Sequence, residues 1–247
     1  MKRQKGFHCV MLMSMSKNKS SSGRRMMSVR VKTAKRRKNS SAAWLKRQLN
    51  DPYVMRAKEE GYRSRAAFKL IEINEVVPFL KKSCRVVDLG AAPGGWTQVV
   101  MDYVDMDRPD SQVVALDINP MEAMAGATVL EMDFSLPEAP DELFKHLSGP
   151  VDVVLSDMAP PTMGHKQTDH LRIVALVEMA LDFALQVLAP KGTFVAKVWQ
   201  GGADQDLLKV MKENFDKIKH VKPPSSRKDS AETFVVATGF RGGANKD

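Results

Sequence analysis

Between residues 85 and 238 short runs rich in Val, Ile and Leu alternate with longer stretches whose apolar residues recur at helical spacing. The runs at 85–89, 112–118, 127–132, 151–156, 192–198, 217–221 and 233–238 predict seven strands. Strands that alternate with helices in this way predict an α/β domain, a mostly parallel sheet with helices on both faces. Within 168–188, Val174, Val177, Leu181, Ala184, Leu185 and Leu188 repeat on one helical face. Ala189-Pro190-Lys191-Gly192 then stops that helix and turns the chain into the fifth strand. Only a short polar loop separates the last two strands, which predicts an antiparallel C-terminal hairpin at one end of the sheet. The pattern contains no internal repeat.

Ahead of the first strand, 64–77 predicts a further helix with Ser64 as its N-cap. Arg65, Lys69 and Glu72 fall along one stripe at i, i+4 and i+7, while Phe68, Leu70, Ile71, Ile73, Val76 and Val77 leave little else polar. A lysine on so apolar a helix either snorkels to water or is held for a purpose.

Composition refines this picture chiefly through charge. The 247 residues are 43% hydrophobic and carry net charge +9, with no apolar run long enough to span a membrane. Residues 1–50 contain 15 Lys or Arg and no acid, which leaves 23 basic and 29 acidic residues in the rest. Residues 1–40 therefore predict a basic, disordered arm suited to phosphate-rich partners, and 41–247 a single domain. An acid-free, Ser- and Arg-rich start is also the composition of an organelle transit peptide, so a mitochondrial location stands as the alternative to a cytoplasmic one. Two cysteines, Cys9 and Cys84, exclude a disulfide framework.

The richest local signal is Val86-Val87-Asp88-Leu89-Gly90-Ala91-Ala92-Pro93-Gly94-Gly95-Trp96, a strand running through a glycine turn into a helix. Ala92 stands where a dinucleotide fingerprint requires glycine, and the Lys-Ser/Thr of a P-loop is missing. An acid before the turn suits a ligand with a cationic or amino group, such as S-adenosylmethionine. Asp117, closing the second strand, and Asp133, after the third, then suit ribose hydroxyls and an adenine amino group. Asp157 follows the fourth strand, Lys197 lies inside the apolar fifth, and Glu232 opens the last. An ammonium within an apolar strand is costly unless it is paired or functional.

Ser64-Arg65-Ala66-Ala67-Phe68-Lys69-Leu70, Asp88 to Trp96, Ser156 to Pro160, Lys197 and Glu232 together resemble the FtsJ-type RNA ribose 2′-O-methyltransferases, over about residues 41–240. The resemblance implies the Rossmann-like fold of S-adenosylmethionine-dependent methyltransferases and 2′-O-methylation of a uridine in large-subunit ribosomal RNA by a monomer, with no metal. It implies a catalytic tetrad of Lys69, Asp157, Lys197 and Glu232, and cofactor contacts from Gly94, Trp96, Asp117, Asp133 and Asp157. Arg63, Arg65, Arg227 and Lys228 are the expected RNA contacts. Pro161 departs from the family, where many relatives have Asn after Ala-Pro. Lysine is a poor base at its free pKa of about 10.4. The expected roles are Lys197 as base, Lys69 as the cation that orients the hydroxyl, and the two acids as groups that fix the lysines. Another RNA, organellar ribosomal, transfer or messenger-cap, is an alternative substrate, and a non-catalytic assembly factor an alternative class.

Overall fold

The computed structural model describes residues 45–160, 163–199, 205–227 and 229–242. The basic arm, Pro161 and Lys228 lie outside the described residues. The chain divides into Met1–Lys46 and Arg47–Asp247, and the second unit carries the whole sheet.

Its elements, among the described residues, are α1 (Pro52–Glu59), α2 (Ala66–Val76), β1 (Arg85–Leu89), α3 (Gly95–Tyr103), β2 (Gln112–Asp117), β3 (Ala127–Glu131), α4 (Ala139–Lys145), β4 (Val151–Ser156), α5 (Lys166–Val187), β5 (Leu188–Trp199), α6 (Gln205–Asn214), β6 (Phe215–Val221) and β7 (Glu232–Phe240). These strands form one seven-stranded sheet in the order β3-β2-β1-β4-β5-β7-β6. Pairs from β3 to β5 are parallel, and β7 runs antiparallel to both β5 and β6. The expected C-terminal hairpin is therefore present, with its second strand inserted between β5 and β6.

Helices cover both faces because the strand side chains alternate. Val87, Leu89, Val154, Phe194, Ala196, Val235 and Ala237 pack on the side of α4, α5 and α6. Val86, Val153, Leu155, Val195, Phe234 and Val236 pack against α2 and α3. By the same alternation Asp88, Lys197 and Glu232 point to the α2 and α3 side. The edge strands are weaker in apolar character, and β6 exposes Lys217 and Lys219, which blunts an otherwise open edge.

Two local expectations are corrected. Ser64 does not cap α2: Arg65 occupies the N-cap position without a side-chain bond. Ser64 Oγ is buried without a hydrogen-bond partner among the described residues, pressed against Gly95, where a Cβ would collide with it. The segment 189–192 ends the helix as expected, yet lies within β5 as a bulge, with Lys191 at φ 69° and a register shift opposite Val151 and Val153.

Candidate active site

Strand order reverses between β1 and β4, and in open α/β sheets ligands lie outside the carboxyl ends of the strands at such a reversal. Two loops meet there. Gly90, at φ 77°, leaves β1 so close to the loop after β4 that a Cβ would stand 2.8 Å from the Met158 backbone. The backbone amides of Gly90 and Ala91 donate to Leu116 O at 2.8 and 3.1 Å, and Asp157 N to Leu89 O at 3.1 Å.

The turn then opens α3. Gly94 has φ 106°, a conformation glycine adopts without the steric cost of a Cβ. An added Cβ would stand 2.9 Å from Arg63 Nη1 and 3.0 Å from Met121 Sδ, so the turn is a cradle a side chain would fill. The first-turn amides of α3 have no carbonyl one turn back and are available to an anionic group. Asp117 Oδ2 accepts from Ala92 N at 3.0 Å, and Oδ1 from Asn119 N at 2.7 Å and Asn119 Nδ2 at 3.0 Å. That carboxylate is fixed beside the turn and, with about four lone-pair sites, retains room for a hydroxyl. Asp133 Oδ1 accepts from Ser135 N at 2.9 Å and Oγ at 2.7 Å; the hydroxyl's bond, then the amide's, hold its carboxyl below the usual carboxylate range. These carboxylates, the free amides and the cradle fit S-adenosylmethionine, whose hydroxyl and amino groups need acceptors and whose carboxylate needs donors.

One expected cofactor contact, Trp96, and the acid before the turn, Asp88, take a different form. The Trp96 indole is 2% exposed, stacks obliquely 5.5 Å from Phe234 and donates Nε1–H to Ala66 O at 2.9 Å. Only its backbone amide can face a ligand, while the ring ties α3 to α2 and β7. Asp88 does not stand over the turn but lies wholly buried beneath it. Its Oδ2 accepts from Thr97 Oγ1 at 2.7 Å and its Oδ1 has no partner among the described residues. Burial, only partly opposed by the Thr97 bond and reinforced by Asp157 and Asp117, pushes its pKa up to about 7. Thr97 was not legible as a partner, since only the helical turn brings it back over Asp88.

Lys69, Asp157, Lys197 and Glu232 come together as two ion pairs. Lys69 Nζ stands 2.7 Å from Glu232 Oε1 and 5.6 Å from the centre of the Phe234 ring. Lys197 Nζ stands 3.0 Å from Asp157 Oδ1 and donates to Asp157 O at 2.7 Å. The carbonyl bond is the well-directed one, because Oδ1 meets the ammonium as an ion pair without a well-angled hydrogen bond. Burial favours the neutral acid at Asp157, but Lys197 and then Lys69 outweigh it and hold the carboxyl below its ordinary value. The pairing of Lys69 with Glu232, and its field at Asp157, decide against a lysine that merely snorkels.

The expected RNA contacts are largely engaged within the chain. Arg63 donates from Nη1 to Glu122 O at 2.8 Å and from Nη2 to Ala123 O at 3.0 Å, clasping the loop after β2 onto the glycine turn. Arg65 binds Asp51 and the carbonyl of Ser225. Arg227, the more exposed, reaches Gln48 Oε1 and Asp51 Oδ2, each at 3.4 Å.

Residues 62–240 match the family model of FtsJ-like methyltransferases. The chain is 60% identical over 222 residues to a protein named ribosomal RNA large subunit methyltransferase E from Paramagnetospirillum magneticum, a match spanning 89% of this chain and 91% of the other. A protein of the same name from Novosphingobium aromaticivorans is 59% identical over 213 residues, 86% of this chain and 94% of its own length. Among solved structures, a protein described as a ribosomal RNA methyltransferase from Plasmodium falciparum has a TM-score of 0.64 and 28% identity, covering 73% of this chain and 100% of that one.

Proposed function

Because the chain belongs to the FtsJ-like methyltransferase family, we propose that it methylates the ribose 2′-hydroxyl of a uridine in large-subunit ribosomal RNA, using S-adenosylmethionine. The single observation that carries the chemistry is the meeting of two lysines and two carboxylates at the carboxyl ends of β4 and β5, beside the glycine turn. The names of the relatives support the RNA, and the cytoplasm is where bacterial ribosomal RNA is modified.

When bound, the cofactor supplies a methyl group on a sulfonium, which is already activated toward a nucleophile. What remains for the protein is to position the acceptor and take its proton. Gly94, the α3 amides, Asp117 and Asp133 would hold the donor. Lys197, anchored by both the carbonyl and the carboxylate of Asp157, acts in its amine form. It would accept the proton of the 2′-hydroxyl as that oxygen becomes the nucleophile toward the activated methyl group. Lys69, fixed by Glu232, donates to the acceptor oxygen. Asp157 holds Lys197 in place through its carbonyl and carboxylate, its depressed pKa belonging to the resting ion pair with the protonated lysine. The basic arm lies outside this chemistry and adds phosphate affinity.

Tritiated methyl transfer to undermethylated large subunits, naked ribosomal RNA and transfer RNA in parallel tests this reading. Label in large-subunit RNA that resists alkaline cleavage at one uridine is expected. Label confined to transfer RNA, or carried on a base, would refute it. The alternative of a non-catalytic assembly factor predicts no label at all.

A further inference from the structure

We propose that Ser226 is a positioning residue for the tetrad, setting the orientation in which Glu232 meets Lys69. The inference rests on the catalytic reading above and adds to it a residue that touches neither acceptor nor donor.

Ser226 is 5% exposed, and its hydroxyl donates at 2.9 Å to Glu232 Oε1, the same oxygen that pairs with Lys69 at 2.7 Å. A carboxylate held by one flexible ammonium can rotate and present either oxygen. A second, directional donor on the same oxygen removes that freedom. In a half-buried setting the bond is stronger than it would be in water and costly to lose.

The hydroxyl is delivered by a loop gripped from α2. Glu72 Oε2 accepts from Ser225 N at 2.7 Å, and the Arg65 guanidinium binds Ser225 O. Arg65 and Glu72 are the i and i+7 members of the stripe that has Lys69 between them. The two side chains therefore hold opposite polar groups of one residue, so the loop cannot slide along α2 without breaking a charged contact. Ser226 N donates to Pro223 O at 2.9 Å, and Glu232 N to Ser230 Oγ at 3.2 Å, which close the loop on both sides. The geometry assigns to this clamp the register between α2, which carries Lys69, and β7, which carries Glu232. Arg65 thus works inside the protein, at a place where the sequence suggests an RNA contact.

The test is a double-mutant cycle on the full chain, with undermethylated large ribosomal subunits as acceptor. Ser226→Ala should lower kcat roughly 10- to 100-fold, the range expected for loss of a hydrogen bond to a charged group. The KM for subunits should hardly move, and any fall in melting temperature should leave the protein folded at the assay temperature. Ser226→Thr, which keeps the hydroxyl, should restore most of the rate. In a Glu232→Ala background Ser226→Ala should cost nothing further, because its only route to the reaction is gone. Ser226→Cys, of similar size and a weak donor, enters the same cycle and reads the coupling if the alanine variant folds poorly.

Independent, multiplying effects of Ser226→Ala and Glu232→Ala would overturn the proposal while leaving the tetrad intact. So would a Ser226→Ala effect confined to KM or to melting. A Glu232→Ala protein with unchanged kcat would instead remove Glu232 from the machinery, and the proposal would fall with the reading it rests on.

Discussion

Asp88 offers the most quantitative perturbation, Asp88→Asn, because its surroundings are defined: no exposure and, among the described residues, one donor from Thr97 at 2.7 Å and no hydrogen-bond partner on Oδ1. Its carboxyl is raised from 3.8 to about 7, chiefly by burial. The folded protein therefore keeps a proton there over a pH interval in which the unfolded chain has lost it. By linkage, the neutral acid's contribution is fully present below 3.8 and is lost progressively until pH passes about 7. At roughly 1.4 kcal/mol per pH unit, that interval amounts to about 4 kcal/mol. Asparagine keeps the shape and an acceptor for Thr97 but does not ionise, so its stability lacks this slope. Urea unfolding of both proteins from pH 4 to 8, plotted as wild type minus variant, isolates Asp88 from groups common to both. Asp157 is one of these: its depressed pKa gives the opposite sign, stability present above its unfolded value and lost in acid. The difference should fall by several kcal/mol as pH rises from 4 to 7 and level off above. Parallel curves would mean that Asp88 ionises in the folded state at its ordinary pH, and that water or an unrecognised donor reaches Oδ1.

Lys197→Ala should slow single-turnover methyl transfer by ~100- to 10,000-fold, the range for loss of a general base, with cofactor affinity within a few-fold. Lys197→Arg should fail equally, since guanidinium cannot take a proton near neutrality; an active arginine variant would make the residue a positioning cation. Asp117→Ala should weaken S-adenosylmethionine binding in calorimetry by about 1.5–3 kcal/mol, through bonds to a charged acceptor. Arg63→Ala should weaken binding of the cofactor more than binding of RNA, because its guanidinium clasps the carbonyls of Glu122 and Ala123; the reverse order would restore it as an RNA contact. Deleting residues 1–40 should flatten log K for RNA against log salt, by roughly 0.7–0.9 for each phosphate no longer neutralised, with the methylated nucleotide unchanged.

Much of the fold was legible because strand and helix periodicities are local. Strands β1 and β4 coincide with the runs read from the sequence, and the other strands differ only at their ends. The ends moved where tertiary contacts act: β7 runs on to Phe240 because Phe240 pairs with Phe215 of β6. Asp117 could be placed beside the glycine turn from its position at a strand end, where its carboxylate accepts from Ala92 N. What the sequence could not supply is which polar groups satisfy one another over long separations. The pairing of Lys69 with Glu232 exists only because β7 is inserted between β5 and β6 and so faces α2. The Trp96 indole and the Asp88 carboxyl read as ligand groups in sequence, yet close packing between α3, α2 and the sheet commits both to the interior. Arg65 reads as a surface cation, and only the return of the 223–227 loop over α2 converts it into a strut. Periodicity in the chain determined which residues face inward; the strand order, which periodicity does not encode, decided which of the inward-facing charges meet.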